Sequence, residues 1–239
     1  MLHVYGIIDD SRIRGVLPRG HGGGALAALP ADGLAAVVSE AASASIDVSV
    51  AHVWHHEKVL NALMKRHAVL PMRFGTVRTA DELSSLLGRR RNALRAALQE
   101  LVGKVEMAVR IAWVNTSDAQ EGKRHPGNHP AAPSGKAYLM ALAERRGRVS
   151  AEDTPAFPPG TDLRKCLERL SAATVWHEPE GPGRPLKVSC LVARDKVDVF
   201  VDCLDAWERD HLPNLRVSCT GPWAPYSFVG RRAALGGEG

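Results

Sequence analysis

The chain has 239 residues, of which 45% are hydrophobic and 24% charged, with a formal net charge of +5 and a pI near 9.2. That length allows one large domain or two small ones around a sizeable core, and the balance of residues excludes a disordered or fibrous chain. No apolar run approaches the roughly 20 residues of a membrane helix, and Met1-Leu2-His3-Val4-Tyr5-Gly6-Ile7-Ile8 lacks the basic leader and cleavage site of a signal peptide, so the expected compartment is the cytoplasm.

Leu2 to Ile8 is apolar and reads as a first strand. Residues 9–31 are loop-like, with Gly15, Pro18, Gly20 and the run Gly22-Gly23-Gly24. Leu34 to Ser39 is a second strand. Asp47 or Ser49 is placed to cap the helix that follows, in which Val53, Leu60, Leu63, Met64 and His67 share a face. Val69 to Phe74 is a third strand. Thr79-Ala80-Asp81-Glu82 has the form of a capping box, in which threonine and glutamate satisfy each other's backbone donors. It opens one helix with the face Leu83, Leu86, Leu87, Leu94, Ala97, Leu98 and Leu101, ended by Gly103.

Val105 to Val114 alternates as a strand, and residues 115–134 then lose all periodicity and read as a disordered insertion. Ser134 caps a helix containing Tyr138, Ala141 and Leu142. Pro155 to Gly160 interrupts it, and Thr161 opens a second piece with Leu163, Leu167 and Leu170. Ala173 to His177 and Leu186 to Ala193 are strands on either side of the turn Gly181-Pro182-Gly183. Val197, Phe200, Val201, Leu204 and Trp207 mark a helix, and Leu215 to Thr220 is the last strand. The predicted class is α+β with two domains: an N-terminal ββαβα domain over 1–102 and a ferredoxin-like βαββαβ domain over 103–220, with the insertion in its first crossover. Residues 221–239 form a C-terminal tail.

Few motifs carry chemistry. Gly20-His21-Gly22-Gly23-Gly24 matches the oxyanion segment of lipases, but no G-x-S-x-G nucleophile elbow accompanies it. Gly135-Lys136 ends like a phosphate-binding loop, yet Ala137 stands where Ser or Thr binds magnesium. His52 and His56 are four apart on one helix face, the best candidate for chelation, without a third ligand or the H-E-x-x-H order. Asp9-Asp10 reads as turn residues. Cys166, Cys190, Cys203 and Cys219 include no C-x-x-C pair, and are expected as reduced thiols rather than a zinc site. The basic clusters Arg89-Arg90-Arg91, Arg145-Arg146 with Arg148, and Arg231-Arg232 are short; the first two read as solvated helix faces, although the pI admits an anionic partner.

The stretch Val69-Leu70-Pro71-Met72-Arg73-Phe74-Gly75-Thr76-Val77 contains no nucleophile, base or ligand set. Pro71 cannot donate to a ladder and argues for an edge or bulge. Arg73, if covered, needs a partner such as Glu40 or Glu57. Gly75 permits a tight turn after Phe74. The stretch is expected to be a structural joint.

Several segments in order resemble the gas vesicle synthesis protein family GvpF/GvpL. They are the strand ending Tyr5-Gly6-Ile7, Leu34 to Ser39, His56-Glu57-Lys58-Val59-Leu60 leading into Val69 to Val77, and Ser134-Gly135-Lys136-Ala137-Tyr138-Leu139. The strongest is Thr220-Gly221-Pro222-Trp223-Ala224-Pro225-Tyr226-Ser227-Phe228-Val229, where the family has a second proline in place of Ala224. The resemblance implies a non-enzymatic accessory protein of gas vesicle assembly, without a cofactor or metal, located in the cytoplasm and the gas vesicle. It implies that the small hydrophobic shell protein GvpA is a partner, shielded from aggregation while the vesicle nucleates, together with other gas vesicle accessory proteins, and neither nucleic acid nor membrane. Because only 5% of residues are aromatic, the cluster Trp223, Tyr226 and Phe228 is the candidate partner-binding site; bracing of the core is the competing role. The alternative class is an RNA-binding module on a ferredoxin-like fold, suggested by the basic pI. Against it, the strands Val105 to Val114 and Leu186 to Ala193 carry a single aromatic, Trp113, for base stacking.

Overall fold

The computed structural model describes residues 1–10, 12–113, 161–179, 181, 184–211 and 215–229; the expected insertion at 115–134 and the helix expected from Ser134 lie outside them. The protein is α+β and divides into two compact units, one of Met1–Glu106 with the chain from Pro222 onward, the other of Met107–Gly221.

The first unit is built on a five-stranded antiparallel sheet. Its strands are β1 (Leu2–Ile8), β2 (Ala27–Ala31), β3 (Leu34–Glu40), β4 (Val69–Pro71) and β5 (Val77–Arg78). The order is β2-β3-β1-β4, with β5 also on β1. Three helices accompany it: α1 (Val50–Leu63), α2 (Ala80–Arg89) and α3 (Arg91–Leu101). The register of β1 against β3 slips between Val4 and Gly6. This bulge turns Tyr5 to the same side as Ile8, where both pack with Ala35, Val37, Val59, Leu60 and Leu63 under α1. Gly6 must be glycine: a Cβ there would lie 2.8 Å from the Leu70 carbonyl oxygen. Ile7, Leu34, Ala36 and Val38 are also buried, against the side served by Leu83, Leu87, Leu94 and Leu98 of α2 and α3.

Three expectations for this unit need correction. The loop predicted over 9–31 contains β2, which joins β3 through Asp32-Gly33, both at positive φ (51° and 78°), as a two-residue hairpin turn requires. Ala27-Ala28-Leu29-Pro30-Ala31 has no β-branched residue, so its composition does not announce a strand. The single helix predicted over 80–101 breaks at Arg90 (φ −109°, ψ 13°), which ends α2 and starts α3; the leucine stripe continues across the break and hides it. The third strand stops at Pro71 instead of Phe74, because the chain turns and returns to β1 as β5. The predicted caps form: Ser49 Oγ accepts from the His52 N–H, and Thr79 and Glu82 make the reciprocal capping box.

The second unit carries a four-stranded sheet of β6 (Lys104–Trp113), β7 (Ala173–His177), β8 (Leu186–Ala193) and β9 (Leu215–Trp223) in the order β7-β8-β6-β9, with β7 and β8 antiparallel. Helices α4 (Thr161–Leu170) and α5 (Val197–His211) bury Leu163, Leu167, Phe200 and Leu204. Cys166 of α4 and Cys203 of α5, 37 positions apart in sequence, face each other with Cα atoms 7.4 Å apart, wider than a disulfide usually spans. β9 runs on to Trp223, beyond the expected end at Thr220, and a last helical turn, α6 (Tyr226–Val229), follows in what was read as a tail.

Candidate functional site

Val69 to Val77 is a strap over buried histidines. Thr76 N–H donates to the Arg73 carbonyl at 3.1 Å, closing a turn with Phe74 and Gly75 at its centre and Gly75 at φ 82°, as a type II turn needs. Pro71 lies in β4, the terminal strand, opposite Gly6. Arg73 is exposed, so neither Glu40 nor Glu57 is needed to neutralise it. Phe74 stands edge-on to the rings of His3 and His56, at 5.6 and 5.8 Å.

His3 and His56 are each 1% exposed. The Met72 carbonyl can only accept, so His56 Nε2–H donates to it at 2.9 Å. His56 Nδ1 is then the acceptor for His3 Nε2–H at 3.3 Å, and His3 Nδ1 is left buried with no partner. Burial holds both rings neutral. The pKa of His3 falls to about 3, through desolvation first and then the neighbouring His56, His21 and His55. That of His56 falls to about 4, through desolvation that outweighs the Met72 hydrogen bond. His52 Nδ1 pairs instead with the Asp47 carbonyl, 2.8 Å away. The two members of the candidate chelate therefore serve different neighbours, and no group of three or more metal-ligating side chains is gathered among the described residues. The Gly20–Gly24 run makes a short 3-10 turn whose His21 N–H donates to Tyr5 Oη at 2.6 Å.

The aromatic C-terminal segment is pinned inside the first unit. Ala224 is fully buried in the α1 core, a place where a larger residue has little room. Tyr226 Oη–H donates to Glu57 Oε1 of α1 at 2.6 Å. Ser227 is held twice by Glu106 of β6: its N–H donates to Oε2 at 2.9 Å and its hydroxyl to Oε1 at 2.7 Å. Burial raises the pKa of Glu57, opposed by the Tyr226 hydrogen bond and reinforced by Glu106, and Glu57 Oε2 is buried without a partner. Burial and then the Glu57 charge push Tyr226 far above the ordinary phenol range. Trp223 and Trp54 of α1 lie with ring centroids 5.8 Å apart, both half-buried, as is Phe228. Tyr226 is thus tied to α1 by its hydroxyl, and Trp223, Tyr226 and Phe228 are all half-buried. The carboxylates were the residues missed: Glu57 was read as a partner for Arg73, and Glu106 only as part of an alternating strand.

These features define an α+β protein that spends its buried polar groups on fastening its own segments together. The family model for gas vesicle synthesis protein GvpL/GvpF matches residues 1–230. The chain is 33% identical over 187 residues to gas vesicle protein L of Streptomyces sp. (strain CB03234), covering 73% of this chain and 67% of that one. It is 30% identical over 233 residues to gas vesicle protein F2 of Halobacterium salinarum, covering 95% and 91%. The crystal structure of GvpF from Anabaena sp. PCC7120 superposes with a TM-score of 0.70 at 22% identity, over 95% of each chain. GvpF from Microcystis aeruginosa does so with a TM-score of 0.70 at 21% identity, over 95% of this chain and 98% of that one. The chain belongs to the GvpL/GvpF family of gas vesicle synthesis proteins, and its role is in gas vesicle formation.

Proposed function

We propose that the protein is a non-enzymatic assembly factor that binds the hydrophobic shell protein GvpA, limits its aggregation and helps nucleate the vesicle. The family match over residues 1–230 carries this reading. A shell subunit exposes apolar surface before it assembles, and such surface aggregates unless covered. In this reading the half-buried Trp54 and Trp223, whose rings adjoin, and the half-buried Tyr226 and Phe228 supply the apolar surface that covers it. The second unit is inferred to follow the ferredoxin-like plan, supported by its strand order β7-β8-β6-β9.

Co-expression with GvpA tests the proposal, scoring soluble GvpA and its co-purification with this chain. The wild type is expected to raise the soluble fraction and carry GvpA through purification. Trp223→Ala is expected to keep its melting temperature within a few degrees and lose most of the co-purified GvpA. Persistent aggregation with no co-purification would sink direct shielding, and loss of the fold in Trp223→Ala would return Trp223 to a purely structural role.

A further inference from the structure

Where α2 meets α3, Arg89, Arg90, Arg91 and Asn92 line an open groove of about 630 Å³ together with Asp32 and Gly88. Arg95, one turn further along α3, donates from Nη2 to the Asp32 backbone carbonyl at 3.2 Å, which anchors the side chain and leaves its charge uncancelled. Four arginines therefore adjoin one acid. Arg89 and Arg91 are exposed and, among the described residues, have no hydrogen-bond or ionic partner.

The start of α3 adds a second observation. Arg90 is its N-cap and gives no side-chain cap, Arg91 is its first residue, and no acid stands in the first turn, as is also true of α1. α1 and α2 begin with a capping serine and a full capping box. Arg89 and Arg90 end α2, where cations are favourable, but Arg91 stands at the positive end of α3, where a cation is unfavourable and an anion in the groove relieves the conflict.

We infer that this groove docks an acidic segment of a partner protein. Guanidinium forks match carboxylates two bonds at a time. The groove has no aromatic side chain on which a base stacks, and it spans one helix junction rather than a track along a nucleic-acid backbone. The inference is independent of the shell-protein reading.

The test is binding of a fluorescein-labelled oligoglutamate peptide to the full chain across a salt series, beside a single-stranded RNA of matching length. Wild type is expected to bind the peptide in low salt and release it as salt rises. Arg91→Glu is expected to weaken binding about tenfold or more. Lys58→Glu, an equal charge change at an exposed position of α1, is expected to alter it less than about twofold. Arg91→Glu puts an acid in the first turn of α3, so its melting temperature should hold or rise, which separates lost binding from lost fold. Absence of peptide binding by wild type, or equal losses in the two variants, overturns the inference. RNA that binds more tightly than the peptide and is released by Arg91→Glu overturns it in favour of a nucleic-acid groove.

Discussion

The first unit buries polar side chains in two places and meets the cost in opposite ways. Around His3 and His56 the buried groups are bases, kept neutral by burial and lined up by tautomer, from the Met72 carbonyl to a bare nitrogen on His3. Around Glu57 and Glu106 the buried groups are acids that hold the C-terminal segment, with both oxygens of Glu106 occupied by Ser227 and one oxygen of Glu57 bare. Each cluster thus ends in one unpartnered atom. A neutral base can leave a lone pair bare at moderate cost, whereas a carboxylate must find donors or give up its charge. The pair should respond to pH in opposite directions.

The largest expected effect is acid destabilisation by the histidines. Their folded pKa values, about 3 and about 4, lie below the ordinary 6.5. Between those limits the unfolded chain binds more protons, so stability is full above 6.5 and falls as pH drops. The slope is at most about 1.4 kcal/mol per pH unit for each histidine, less where the two protons compete. Over two units this amounts to a few kcal/mol. Glu57 works the other way: its raised folded pKa adds stability in acid that is lost as pH rises through it. Urea melts from pH 7.5 to 4 are expected to show a falling midpoint in wild type and a flatter profile in His3→Gln/His56→Gln. An unchanged slope in the double variant would assign the acid sensitivity elsewhere.

Next in size is Glu106→Gln. The amide keeps one acceptor for Ser227 and turns an NH2 toward its other donor, so the variant should lose about 2 kcal/mol. Ser227→Ala removes the hydroxyl alone and should lose about 1 kcal/mol. Thermal melts at pH 7.5 measure both, and equal losses would mean that the backbone N–H of Ser227 contributes little.

The same contrast shows what the sequence could reveal. Periodicity located α1, α4 and α5, and caps written in adjacent residues, Ser49 and Thr79 with Glu82, formed as read. The Asp32-Gly33 turn was equally local and its hairpin signal went unused, because β2 lacks the β-branched residues that mark strands. Long-range polar pairings were not legible. His3 meets His56 across 53 residues, and Ser227 meets Glu106 across 121. His3 in an apolar strand and Glu106 in an alternating one were not singled out in the sequence, and only the fold supplies their partners. Pro71, Phe74 and Gly75 were read as a joint; the buried His3 and His56 beneath it became visible only in the structure. Trp223, Tyr226 and Phe228 stood out by rarity alone; the structure shows all three half-buried, with Tyr226 tied to Glu57.

The smallest expected effect has the opposite sign and is the sharpest test of the comparison. Glu57→Gln keeps an oxygen to accept from Tyr226 Oη–H and removes a charge that burial disfavours. It should stabilise the protein by about 0.5–1 kcal/mol at neutral pH. The gain should shrink as pH falls, because wild-type Glu57 takes up its own proton and the two side chains become alike in charge. Glu106→Gln should not reverse in this way, since what it loses is a second acceptor rather than an unwelcome charge. Melts of both variants at pH 7.5 and 5 decide the matter. Loss of stability in Glu57→Gln as large as in Glu106→Gln would mean that the bare oxygen of Glu57 is satisfied in solution, and that the two carboxylates do the same job.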